Sequence, residues 1–166
     1  VNAVRVRSAT PADAAAMARV HVDSWREAYA SLLPASVLAA LSYAERERQW
    51  SEWLARSDFD SFVAESEGAI LGFSAGGAKR DEGVDVAGEL YALYLMARYH
   101  GSGTGRALFE AVRTSLRVRG LTPFQLFVIA GNPACAFYER LGGRSVLTQA
   151  AEVRGAQIVE HVYVFD

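Results

Sequence analysis

The segment from Leu93 to Leu108 constrains the chain most. A run of strand-forming residues ends there, three alternate glycines follow (Gly101, Gly103 and Gly105), and a helical pattern begins at Arg106. Glycine lacks a Cβ and accepts positive φ, so glycines at alternate positions let successive backbone amides converge on one point. The helix that follows adds its unsatisfied amides and the positive end of its dipole, a combination that favours an anion and typically a phosphate. Arg106 supplies a further positive charge. Spacing separates this turn from two better-known phosphate loops. The dinucleotide fingerprint Gly-x-Gly-x-x-Gly fails, because the sixth position is Arg106 counted from Gly101 and Leu108 counted from Gly103. The triphosphate loop also fails, because no glycine is followed five residues later by Gly-Lys-Ser/Thr. A tight strand-to-helix turn without a ligand is the simpler alternative, but it rarely requires three alternate glycines.

Around this turn the periodicity reads as an α/β chain. Val4 to Arg7 alternates as a half-buried strand, and Thr10-Pro11 opens a helix with Ala14, Met17, Ala18 and Val22 on its inner face, running towards Trp25 and Tyr29. Pro34 starts a short helical stretch with Val37, Leu38 and Leu41, and residues 43–56 form an amphipathic helix carrying Trp50, Trp53 and Leu54. Ser61 to Glu65 and Ile70 to Ala75 flank Ser66-Glu67-Gly68 as a hairpin. An acidic loop from Asp81 to Gly88 leads into a strand from Glu89 to Met96. After the glycines come a helix to Arg119, a strand from Phe124 to Ile129, a short helix from Pro133 to Leu141, and two strands near 145–150 and 158–165 joined through Gly155. No repeat, linker or low-complexity tract interrupts the order, so residues 1–166 read as one domain.

Composition narrows the function classes. Hydrophobic residues make up 51%, enough for a packed core, and the net charge of −2 gives no basic surplus for a nucleic-acid binder. Arg113, Arg117 and Arg119 cluster late in one helix, where they complement its dipole. The single cysteine, Cys135, excludes an internal disulfide and reads as a small buried apolar residue, and His21, His100 and His161 have no metal-ligand spacing, so no metal is expected. No apolar run is long enough to cross a bilayer, and residues 1–11 do not read as a secretory signal. The expected setting is cytoplasmic.

The segment His100-Gly-Ser102-Gly103-Thr104-Gly105 resembles the cofactor motif Gln/Arg-x-x-Gly-x-Gly/Ala of the GNAT superfamily of N-acetyltransferases, with His in the first place. Asn132-x-x-Ala-x-x-Phe137-Tyr138-Glu-x-Leu-Gly142 is similar to the family's second signature, and His21-x-x-Ser-Trp25-Arg-x-x-Tyr29 with Leu33-Pro34 resembles its acceptor-side helix pair. The resemblance spans nearly the whole chain. It implies a mixed, mostly antiparallel sheet flanked by helices, with parallel strands 4 and 5 splayed apart to admit acetyl-CoA.

By that resemblance the pantetheine arm would meet the strand end at Leu93, Tyr94 and Leu95, a backbone amide near Leu95 would polarise the acetyl carbonyl, and the diphosphate would sit on Gly101 to Arg106. Asn132 would bind the pantetheine, cap the following helix, or do both. Glu89 is the candidate general base, since burial would help it take a proton; otherwise it is a strand-end carboxylate facing solvent or holding Arg5 or Arg7. Tyr138 is the candidate general acid for the departing thiolate; otherwise it is a packed aromatic. Trp25 and Tyr29 lie four apart on one helix face and would line the acceptor pocket or belong to the core. His21 shares that face as a packed histidine or a pocket group.

Two function classes follow. One is an enzyme acetylating an amine of a small molecule or peptide in a ternary complex; the other is a catalytically silent acyl-CoA sensor on the same fold. Retention of both Glu89 and Tyr138 favours the enzyme. The apolar positions of the last strands suit a homodimer.

Overall fold

The computed structural model describes residues 3–80 and 82–166; Asp81, where the expected acidic loop begins, and Val1 lie outside them. Among the described residues seven strands form one sheet: β1 (Arg5–Ser8), β2 (Phe59–Ser66), β3 (Ala69–Ala78), β4 (Gly88–Leu95), β5 (Phe124–Ile129), β6 (Arg144–Val153) and β7 (Ala156–Phe165). Their spatial order is β1-β2-β3-β4-β5-β7-β6. All neighbours are antiparallel except β4 and β5. The helices are α1 (Ala14–Ala28), α2 (Ala35–Ala39), α3 (Tyr43–Leu54), α4 (Thr104–Val118) and α5 (Ala134–Arg140). This is the mixed, mostly antiparallel architecture expected. The strands of both hairpins run longer than their apolar alternation suggests, because backbone pairing continues through polar residues such as Asp60 and Gln157.

The sheet separates two cores. On one face α4 and α5 pack against it through Phe109, Val112, Leu116, Phe124, Leu126 and Phe165. On the other, α1 and α3 bury Met17, Val20, Trp50, Val63 and Phe73. Small residues in β3 let α4 come close. Ser74 Oγ donates to the Leu108 carbonyl at 2.9 Å, and a Cβ at Gly76 would stand 2.6 Å from a Val112 methyl. A third cluster joins α1 and α2 to the terminal hairpin, with Ile158 against Val22, Tyr29, Leu33, Val37, Leu38 and Leu41.

Two irregularities shape the centre of the sheet. The β3–β4 register passes from Ala75 opposite Ala92 to Gly76 opposite Leu90, leaving Tyr91 as the extra residue of a bulge. The bulge switches faces, so that Leu90 and Leu93 join the α4 core while Ala92 and Tyr94 join the α1 core. The parallel pairing of β4 with β5 is confined to Gly88 opposite Phe124 and Glu89 opposite Gln125. Beyond those pairs the strands part, and β5 stays paired along its length with β7. The β5-facing backbone groups of β4 beyond Glu89 are thereby released from strand pairing and, apart from the Leu95 carbonyl bonded to His100, left open to a cleft.

Candidate active site

A cleft of about 950 Å³ occupies the gap between β4 and β5. Leu90 to Leu95 form one wall, Leu126 to Val128 the other, and the end of α1 and the start of α5 close its sides. Gly101, Gly103, Gly105 and Arg106 form its mouth.

The mouth follows from the local sequence. Gly101 and Gly103 have φ of 78° and 87°, the left-handed region that other residues enter at a cost, and no atom lies within 4 Å of where their Cβ would be. Gly103 caps α4, and the first intrahelical bond runs from Ala107 N to Gly103 O. The amides of Thr104, Gly105 and Arg106 therefore have no acceptor within the helix. That of Thr104 meets Ser102 Oγ at 3.4 Å. The Ser102 hydroxyl donates to the Tyr99 carbonyl at 2.6 Å and lies 2.8 Å from Thr104 Oγ1, so these two side chains brace the turn from within. His100 does the same from the strand side, with Nε2 2.9 Å from the Leu95 carbonyl. A cup of backbone donors with open space above it, beside a cationic side chain, suits a diphosphate.

Further in, Tyr138 lines the cleft at 7% exposure. Burial, with Tyr94 and Cys135 nearby, pushes its hydroxyl well above the usual phenol range, which keeps it a proton donor at neutral pH. Asn132 also lines the cleft, and its Oδ1 accepts from Ala134 N at 2.9 Å, capping α5. The carboxamide nitrogen is not used in that cap.

Glu89 is buried at 1% exposure, immediately below the point where the strands part. Its carboxylate faces neither solvent nor Arg5 or Arg7. Arg80 holds it, with Nε 2.9 Å from Oε1, a second guanidinium nitrogen on the same oxygen, and the Arg80 amide 3.0 Å from Oε2. Gln125 Nε2 reaches Oε2 at 3.4 Å. Glu89 does not itself line the cleft; Leu90 and Tyr91 do.

Tyr29 and Trp25 part company. Tyr29 lines the cleft, whereas Trp25 does not and packs edge-on against Tyr29 with ring centroids 5.1 Å apart. His21 belongs to the same aromatic group. It stacks on Tyr94 at 5.1 Å, and its Nδ1 accepts from Trp50 Nε1 at 3.1 Å. Burial, reinforced by the charge of Arg46, pushes its pKa down to about 3, so it is a neutral packed histidine.

Arg80 and Gln125 escape the sequence reading. Gln125 could have been flagged, because it is the polar residue inside the otherwise apolar run Phe124 to Ile129 and is fully buried. Arg80 carries no such signal. Among the described residues no group of three His, Cys, Asp or Glu converges to hold a metal, and no helix is long and apolar enough to cross a membrane.

Comparison with known proteins points the same way. Residues 21–143 match the model of the Acetyltransferase (GNAT) family. The chain is 36% identical over 158 residues to the uncharacterized N-acetyltransferase YuaI of Bacillus subtilis (strain 168), an alignment covering 95% of this chain and 90% of that protein. The crystal structure of a ribosomal-protein-alanine N-acetyltransferase from Brucella melitensis superposes with a TM-score of 0.76 at 26% identity, covering 97% of this chain and 98% of that one. The PaiA N-acetyltransferase from Thermoplasma acidophilum, solved in complex with coenzyme A, shares the fold with a TM-score of 0.71 at 15% identity, over 98% of this chain and 99% of that one.

Proposed function

The chain belongs to the GNAT acetyltransferase family, and from that premise we propose that it moves the acetyl group of acetyl-CoA to a primary amine of a small molecule or peptide by direct attack in a ternary complex. The observation that carries this reading is the cleft between β4 and β5, which runs from the amide cup at Gly101–Arg106 to Tyr138. Acetyl-CoA would supply an activated thioester and a diphosphate handle. Gly101, Gly103, Gly105 and Arg106 receive the diphosphate through backbone N–H groups, with Ser102 and Thr104 bracing the turn. Leu93 and Leu95 turn backbone N–H groups towards the pantetheine, Tyr94 lines the cleft between them, and Asn132 adds its side-chain amide.

Glu89 takes the proton of the incoming amine, directly or through water, which frees the nitrogen lone pair for attack on the carbonyl carbon. The carbon–nitrogen bond forms, the carbon–sulfur bond breaks, and Tyr138 donates its hydroxyl proton to the departing sulfur. The second proton of the acylated nitrogen passes through water to the Tyr138 oxygen, which leaves a neutral amide and a free thiol. Tyr29 borders the acceptor, with Trp25 supporting it from behind as a packing partner. The enzyme works as one domain over residues 1–166 in the cytoplasm. The exposed Val146, Leu147 and Val159 of the terminal hairpin provide the contact of a homodimer, which sedimentation equilibrium would reveal as a doubled mass.

Incubation with acetyl-CoA and a panel of primary amines tests the reading, following free thiol and acetylated product together. We expect thiol release that depends on the amine and matches product one for one. Tyr138→Phe should lower kcat by about 100-fold while leaving the KM for acetyl-CoA nearly unchanged. Thiol release without any amine, or tight coenzyme A binding without turnover, would replace this reading by hydrolysis or by acyl-CoA sensing.

A further inference from the structure

The environment of Glu89 contains a feature that proton transfer alone does not explain. A carboxylate at 1% exposure cannot be left without a countercharge, because an uncompensated buried ion is strongly destabilising. Its countercharge is Arg80, yet the Arg80 side chain is 63% exposed. The rest of the shell is fixed. Gln125 is pinned at both ends of its amide, with Oε1 accepting from Val84 N at 2.9 Å and Nε2 donating to the Glu82 carbonyl at 2.8 Å. Arg80, by contrast, is held among the described residues by Glu89 and by lying over the Tyr91 ring, 4.7 Å from its centroid. Arg80, the solvent-exposed part of the carboxylate's shell, lies against Tyr91, a residue that lines the cleft.

We propose that Arg80 is a positioning residue that occupies Glu89 in place of the acceptor, its guanidinium standing where the acceptor's ammonium binds, so that acceptor entry is an exchange of one cation for another. The proposal rests on the reading of the protein as an amine acetyltransferase with Glu89 as its base. A protonated amine and a guanidinium offer the same thing to a buried carboxylate, positive charge with N–H donors. In the free enzyme Arg80 prevents the carboxylate from standing unpaired. When the amine arrives, the guanidinium swings towards solvent and the ammonium takes over its hydrogen bonds. The groups facing the carboxylate are Arg80 from the β3–β4 connection, Tyr91 from β4 and the neutral Gln125 from β5. Arg80 alone among them can supply or withdraw a full positive charge. The exchange favours small or flexible primary amines, which can reach a buried oxygen, over quaternary ammonium compounds, which have no N–H to offer.

Arg80→Ala separates this role from a merely structural one, because it keeps the backbone N–H to Glu89 and removes the competing cation. The variant should melt below the wild type, and millimolar guanidinium or n-butylammonium should restore the melting temperature where tetramethylammonium does not. The Arg80→Ala/Glu89→Gln double variant should show no such selective restoration. With an acceptor from the amine panel, Arg80→Ala should lower the acceptor's KM by about tenfold while the KM for acetyl-CoA stays the same. Arg80→Lys should behave as the wild type in both measurements. A melting temperature that guanidinium and n-butylammonium do not restore, or an acceptor KM that rises in Arg80→Ala, overturns the exchange while amine-dependent turnover of the wild type leaves the acetyltransferase reading standing. Selective restoration without acetylation of any amine would retain the cation site, refute the exchange of acceptor for Arg80, and remove the acetyltransferase reading separately.

Discussion

His21 illustrates how one side chain couples packing to pH. It is 7% exposed, stacked on Tyr94 and hydrogen-bonded to Trp50, and its pKa lies at about 3 because burial and the charge of Arg46 oppose a second positive charge. In the unfolded chain the same imidazole titrates near 6.5. Below that pH the unfolded state binds a proton that the native state refuses. The stability tied to His21 is therefore complete above pH 6.5 and is lost as the pH falls towards 3, by about 1.4 kcal/mol per pH unit. His21→Gln keeps an acceptor for Trp50 Nε1 and cannot titrate, so its denaturation free energy should fall less steeply than that of the wild type between pH 6 and pH 4. Parallel slopes in urea titrations across that range would refute the assignment. Glu89 is a second buried side chain defined by its partner, with the Arg80 guanidinium and backbone N–H both on its carboxylate. The sequence leaves that position open between a buried base and a carboxylate that faces solvent or pairs with Arg5 or Arg7, and Arg80 is in neither reading.

At the scale of elements, the turn from β4 to α4 is where sequence and structure agree most directly. Two left-handed glycines, a bracing serine and threonine, and a helix N-terminus are all specified within seven residues. Gly103→Ala should cost about 1 kcal/mol of stability, since nothing touches its Cβ and only the backbone strain counts. The same substitution should weaken coenzyme A binding by about tenfold, because the cup loses its shape and one strong hydrogen bond to the diphosphate. Calorimetric titration with coenzyme A, alongside denaturant melts, tests both numbers; equal losses in the two measurements would mean that the turn matters only for folding. The start of α4 at Thr104 rather than Arg106 belongs to the same geometry, because Gly103 already caps the helix.

Across the whole molecule, the terminal hairpin reaches back to α1 and α2. Ile158 in β7 packs with Leu33, Val37 and Leu38, tying the last strands to the segment that borders the cleft. Ile158→Ala should therefore destabilise the protein by about 2–4 kcal/mol. It should also loosen the wall formed by Tyr29 and Leu32, raising the acceptor's KM more than that of acetyl-CoA. Steady-state kinetics with each substrate varied in turn checks this; an equal rise in both would mean that the hairpin acts only on global stability.

What the amino-acid order determined by itself is the set of features written into neighbouring residues. These are the succession of strands and helices, the amide cup, and the cap that Asn132 places on α5. Such features depend on backbone conformations and hydrogen bonds within a few positions, which residue type restricts strongly. The tertiary structure decided the remainder. It separated Tyr29 from Trp25 at the cleft wall, gave His21 to the packed aromatic group, and brought Arg80 and Gln125 to Glu89. Of those outcomes, the stack of His21 on Tyr94 and the shell of Glu89 turn on sheet register, where a single bulge at Tyr91 changes the face to which the neighbouring side chains point. Residues 36 positions apart, such as Glu89 and Gln125, meet only once the parallel pair that joins them has formed.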